Sequence, residues 1–126
     1  DSATAPVWTR NIPLGTLKSG VTAAMTATTS TVVVAAQASN YLYITSCTFS
    51  NTHATVNTLM TLQDGSGGTS LWHVPVPANT LGAVVTWPSN APLKEPTIGN
   101  GLYVVNVTTG SNTYCSCNSV YSTVSF

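Results

Sequence analysis

The chain has 126 residues, of which only 5% are charged, against roughly one quarter in ordinary globular domains. Three Lys/Arg balance three Asp/Glu, so there is no basic footprint for a phosphate backbone and nucleic-acid binding is not expected. No apolar run approaches the roughly 18–20 residues of a membrane-spanning helix, and no basic, apolar-cored signal segment stands at the start.

The length suits one domain with a real core. More than a third of the residues are Thr, Ser or Asn, so the polar faces must be built from hydroxyls and amides. Thr is β-branched and fits a pleated, half-buried surface, which favours sheet. A neutral, charge-poor surface repels its own copies weakly and suits a protein packed against copies or partners.

Residues 1–18 (DSATAPVWTRNIPLGTLK) have no sustained period and carry Pro6, Pro13 and Gly15, and we read them as an extended N-terminal arm. Residues 19–126 form the β-sandwich domain. Within it, β-branched runs predict strands over 21–28 and 31–37, turning near Thr29 and Ser30. Strand 41–50 follows, and simple alternation places Leu42 and Ile44 on one face and Tyr41, Tyr43, Cys47 and Phe49 on the other. Ser50 to Ala54 is a turn whose side chains bond their own backbone.

Residues 56–63 and 69–76 flank Asp64-Gly65-Ser66-Gly67-Gly68, a strong hairpin signal because Gly accepts positive φ. Pro75 and Pro77 lack an N–H for a ladder, so they belong at a strand end or a sheet edge. A strand over 81–87 comes next. The proline-rich loop 88–101 is long enough to be a contact surface. Strands over 102–108 and 114–124 finish the chain. Eight or nine short antiparallel strands without a helix predict an all-β, jelly-roll-like β-sandwich. An immunoglobulin-like sandwich is the rival, but Trp72 lies too far after Cys47 for its cysteine–tryptophan pattern.

Three cysteines leave an odd one. Cys115 and Cys117 share a strand face, and a bond between them departs from preferred disulfide geometry. Free buried thiols are the favoured state. A pairing of Cys47 with Cys115 or Cys117 comes second. Zinc comes third, because Cys47 with His53 or His73 completes a four-ligand set only if folding gathers one.

Asp1, Asp64 and Glu95 are far apart in sequence, so paired-carboxylate catalysis has almost no raw material. Asp64 reads as turn chemistry, and Glu95, beside Lys94, as a solvated loop charge. No Gly-x-Ser-x-Gly elbow is present, and Gly65, Gly67 and Gly68 precede no helix that would cradle a phosphate. No enzymatic activity and no cofactor are expected. Trp72, Trp87, Tyr41, Tyr43, Tyr103 and Tyr121 offer a sugar-stacking face, against the expectation that both tryptophans pack between the sheets. Asn106-Val107-Thr108 matches a glycosylation acceptor but falls inside a strand.

Three stretches, YITSCTFSNTHAT, TLMTLQDGSGGTSLWHVPVPANT and GLYVVNVTTGSNTYCSCNSVY, together resemble small structural proteins of tailed bacteriophages. The shared features are a strand ending in Ser-Asn-Thr, a Leu-x-Asp-Gly hairpin, a Pro-Ala-Asn turn and a late Leu-Tyr-Val-Val strand. They span roughly Tyr41 to Tyr121. Relatives of this kind include head decoration (cement) proteins and small tail or fibre-associated proteins. The resemblance implies a non-catalytic virion protein on the capsid surface, a homotrimer or homodimer bound to the major capsid protein or other virion subunits. It carries over no functional residues.

From the residues themselves, Val7, Trp8, Ile12 and Leu14 of the arm are the expected partner contacts, with Lys94 and Glu95 of the proline-rich loop as a second set. The alternative is a tail- or fibre-associated receptor- or carbohydrate-binding module. A component of a pilus or other extracellular polymer fits the low charge but lacks a donor-strand pattern.

Overall fold

The computed structural model describes residues 15–88 and 90–125. Among them there is no helix. The strands run β1 (Thr16–Val21), β2 (Thr31–Val34), β3 (Tyr41–Asn51), β4 (Thr58–Asp64), β5 (Ser70–Val76), β6 (Thr80–Thr86), β7 (Leu93–Lys94), β8 (Leu102–Asn106) and β9 (Thr113–Ser122). One antiparallel sheet has the order β1-β9-β3-β6, with the short β7 also on β3; the other is β2-β8-β4-β5.

The order has a simple origin. Apart from β7, the pairs β1·β9, β2·β8, β3·β6 and β4·β5 are those of a ribbon folded in half at the β4–β5 turn. Rolling that ribbon adds β3·β9 and β4·β8 and closes two four-stranded layers over one core. This is the expected jelly roll.

The halfway turn is made by the residues that predicted it. The Asp64 N–H donates to the Thr69 carbonyl at 2.9 Å and the Gly68 N–H to the Gly65 carbonyl at 3.2 Å. Gly65 and Gly67 have φ of 80° and 64°, a region that side chains disfavour. A Cβ on Gly68 would lie 1.8 Å from the Asp64 carbonyl oxygen. Pro75 sits on β5, which among the described residues is an edge strand laddered to β4 alone, so its missing N–H breaks no described ladder bond.

Several expectations shift. The first strand begins at Thr16, so the last residues assigned to the arm already pair with β9. The strand expected over 21–28 ends at Val21. Beyond it the chain still follows β9 less regularly, through the Thr22 N–H to the Cys115 carbonyl, the Cys115 N–H to the Thr22 hydroxyl and a bridge between Met25 and Thr113. The second expected strand stops at Val34. The 88–101 loop contains β7, which pairs Tyr43 with Lys94 and Ile44 with Leu93.

The face assignment of β3 is also corrected. Ile44 opposes Ser119 and Ser46 opposes Asn118, leaving Thr45 as an extra residue. That bulge reverses the alternation, so Leu42, Ile44, Cys47 and Phe49 all enter one core with Met60, Leu62, Val76, Leu102 and Val104. Tyr43 lies on the opposite side yet is buried, its hydroxyl donating to the Val124 carbonyl at 2.7 Å.

Much of the buried polarity is neutral amide and hydroxyl, paired within the fold. Asn51, wholly buried at the end of β3, donates to the Val56 carbonyl at 2.7 Å and the Val76 carbonyl at 3.2 Å, and accepts the His53 N–H at 3.1 Å. Asn106 is buried between Thr58 and Ser111, bonding both, so the folded chain does not present it for glycosylation. Asn51→Ala strands two carbonyls and the N–H groups of His53 and Asn112. It is expected to cost about 1–3 kcal/mol, read as a lower urea midpoint with an unchanged slope.

Candidate functional site

The first sheet turns one face outward. Cys115 and Cys117 point into the core, so Ser116 and Asn118 between and beyond them point away. Register then builds two rows across four strands: Val21–Ser116–Thr48–Val84 and Ser19–Asn118–Ser46–Thr86. Neither row contains a charged residue. Val21 and Val84 are 72% and 63% exposed at the two ends of the first row, and Leu17 and Leu81 are exposed on the same edge strands. Between them the Asn118 amide donates to the Ser46 hydroxyl at 3.1 Å, and the Thr45 hydroxyl to the Asn118 carbonyl at 3.2 Å. A shallow depression of about 340 Å³ opens beside these groups, lined by Leu17, Lys18, Ser19, Thr45, Asn118 and Ser119.

A second cluster sits where the halfway turn meets the segment after β7. Glu95 is not a solvated loop charge; it is fully buried. The fold places it against Asp64, so the two carboxyl groups that sequence distance separated are in fact neighbours. Asp64 also accepts hydrogen bonds from the Thr97 hydroxyl and from the Asn100 amide at 3.1 Å. Neither Glu95 oxygen accepts a bond from an N–H or O–H donor. The nearby Gly65 N–H donates instead to the Gly101 carbonyl at 3.1 Å.

The electrostatics follow from that geometry. Burial pushes the Glu95 carboxyl up to about 10, reinforced by its hydrogen bond to Asp64 and by the Asp64 charge, with the Gly65 amide a small offset. Burial also acts to raise Asp64, but hydrogen bonds from Glu95, Thr97 and Asn100 outweigh it and hold Asp64 below its ordinary value. At neutral pH the pair is therefore a protonated Glu95 sharing its proton with an ionised Asp64. Lys94 does not compensate: its ammonium lies 4.5 Å from the Tyr41 ring and reaches Ser125.

The sulfurs differ from the favoured expectation of free thiols. Cys47 and Cys117, directly opposed on β3 and β9, form a disulfide. Their Cα atoms are 4.1 Å apart, because side chains on paired strands approach closely at such positions. Cys115 remains a thiol, fully buried, its Sγ 3.7 Å from that of Cys117. Burial pushes that thiol up to about 12, so it is a poor nucleophile.

The histidines serve local structure. His53 Nδ1 accepts the Thr55 and Val56 N–H groups at 3.0 Å each, and His73 Nδ1 pairs with the Thr61 hydroxyl at 2.9 Å. Among the described residues no three His, Cys, Asp or Glu side chains gather as a metal set.

Trp72 and Trp87 meet edge to face with centroids 5.3 Å apart. Trp87 is buried as expected, its indole N–H without a hydrogen-bond acceptor; Trp72 is 42% exposed on β5. Of the expected contact residues, Lys94 lies on β7 and Glu95 lies in the interior, which removes it as a partner contact. Val7, Trp8, Ile12 and Leu14 lie outside the described residues.

No protein-family model matches the chain, and no curated protein matches it.

Two measurements bear on these groups. A Glu95 carboxyl raised from 4.5 to about 10 contributes stability that is complete below the lower value and is lost as pH rises through the upper one. In EDTA, the melting temperature should therefore fall from about pH 5 to about pH 9, and Glu95→Gln should flatten most of that slope. The Cys47–Cys117 bond spans 70 residues of sequence. In a Cys115→Ala background, reducing it should cost about 2–4 kcal/mol in urea unfolding.

Proposed function

We propose that this protein is a non-enzymatic structural subunit of a tailed-bacteriophage virion, of the decoration or cement type, that docks on the capsid through the outer face of its first sheet. The observation that carries the reading is the pair of uncharged rows that cross β1, β9, β3 and β6. Exposed Val21 and Val84 flank rows of Ser, Thr and Asn there. Such a face binds by apolar burial and neutral hydrogen bonds, each worth little alone, at about 25 cal/mol per Å² of apolar area. Repetition over a shell multiplies small contacts into firm retention. The Thr-, Ser- and Asn-rich composition and the resemblance of Tyr41–Tyr121 to small virion proteins support the same reading. The N-terminal arm, the first contact expected from the sequence, belongs to the same proposal beside this face, as does self-association as a trimer or dimer.

A receptor- or carbohydrate-binding module is the second reading. It is favoured by half-exposed Trp72 beside Trp87, since sugar rings stack on exposed indoles.

The test places charge on the face. Val21→Lys with Val84→Lys should leave the melting temperature within a few degrees and reduce co-sedimentation with capsids lacking the protein by about tenfold or more, roughly 1.4 kcal/mol. Unchanged occupancy on the shell excludes this face. Specific binding on a glycan array, lost on Trp72→Ala, would replace the proposal with the second reading.

A further inference from the structure

We propose that Asp64 and Glu95, together with Thr97 and Asn100, form a binding site for a hard divalent cation, calcium, which ties the halfway turn of the roll to the segment entering β8. The first observation is the Glu95 side chain. It is fully buried, turned toward Asp64, and neither of its oxygens accepts a hydrogen bond from an N–H or O–H group. A buried carboxyl without donors calls for a proton or a cation, because an unpaired ionised group in the interior costs several kcal/mol.

The second observation is where the positive charges are. Lys94 is committed to Tyr41 and Ser125, and Lys18 donates to Gln37 at 3.3 Å. Neither described lysine serves the pair. A divalent ion would displace the proton that Glu95 shares with Asp64, releasing it to solvent, and would balance the two carboxylates with no charge left over.

The donor set selects the ion. Every side chain in the cluster offers oxygen and none offers imidazole or thiolate, which disfavours zinc and copper and favours calcium or magnesium. Two carboxylates supply up to four oxygens, the Thr97 hydroxyl a fifth, and the Asn100 amide a sixth once its oxygen turns inward. Up to six oxygens, drawn from the end of β4 and from the irregular 95–101 loop, suit the flexible shell of calcium better than the strict octahedron of magnesium. Gly65 makes room for this arrangement: a Cβ there would stand 3.0 Å from the Asn100 Nδ2, and its φ of 80° already favours glycine. The two anchoring acids come from opposite sides of the fold, so an ion between them would cross-link the β4–β5 turn to the 95–101 loop.

The full chain, stripped with EDTA, is titrated with calcium chloride by calorimetry near neutral pH, and its melting temperature is followed in parallel. The expected result is one calcium ion per chain and a melting temperature that rises with calcium and rises less with equal magnesium. Glu95→Gln keeps the shape and can donate to Asp64, so it should fold while binding calcium roughly tenfold or more weakly; Asp64→Asn should do the same. Absence of heat and of any thermal shift in the wild-type chain overturns the proposal, whatever the variants do. Equal calcium response in Glu95→Gln and wild type also overturns it, since the ion would then lie elsewhere. Equal stabilisation by magnesium and calcium overturns the choice of calcium.

Discussion

The ribbon's midpoint governs this molecule. A chain that pairs β4 with β5, β3 with β6, β2 with β8 and β1 with β9 can do so only if its reversal occurs at one place, and Asp64 to Gly68 is that place. Shifting the turn by one residue would slide every rung of the ladder and exchange core for solvent side chains along each strand. The glycines therefore set more than a local bend. They fix which residues face the core as far away as Leu17 and Val120, the partners near the ribbon's ends.

Charge scarcity shapes everything built on that frame. With few ions, the chain satisfies much of its interior with amides and hydroxyls, aimed at backbone groups at Asn51 and at the Thr58 and Ser111 hydroxyls at Asn106. Such neutral bonds escape the heavy desolvation cost of buried ion pairs. The Asp64–Glu95 pair departs from this: there the interior keeps two carboxyl groups that neither described lysine reaches. It lies against the very turn that positions the ladder. A proton, or the cation we propose, thus acts at the point of greatest geometric leverage.

Much of this was legible in the residues. The Asp-Gly turn, the alternating runs on both sides of it and the edge prolines announced a sandwich rolled from hairpins, and those signals are local. What escaped was long-range or depended on a single inserted residue. No pattern in YLYITSCTF marks Thr45 as a bulge, so the face of Cys47 and Phe49 was assigned wrongly. With that face went the chance of seeing Cys47 opposite Cys117. The nearness of Asp64 and Glu95 arises because rolling brings the β4–β5 turn against the residues before β8, a relation that no spacing in the sequence encodes. The outer face was hidden for a similar reason: Val21, Ser116, Thr48 and Val84 form a row only after four separate strands have paired.

The disulfide has a mechanical meaning. β1 and β9 run antiparallel with Thr16 opposite Tyr121, so tension applied at the two ends of the chain peels them apart one rung at a time and does not shear the whole ladder at once. Peeling of this kind meets little resistance. It reaches the Cys47–Cys117 bond, however, and there the load passes through covalent sulfur. The residues between those cysteines, with β4 to β8 and the halfway turn, then carry no force at all. If the chain is the shell subunit we propose, a shell that swells or is pulled strains its outer strands while the centre of the roll stays shut.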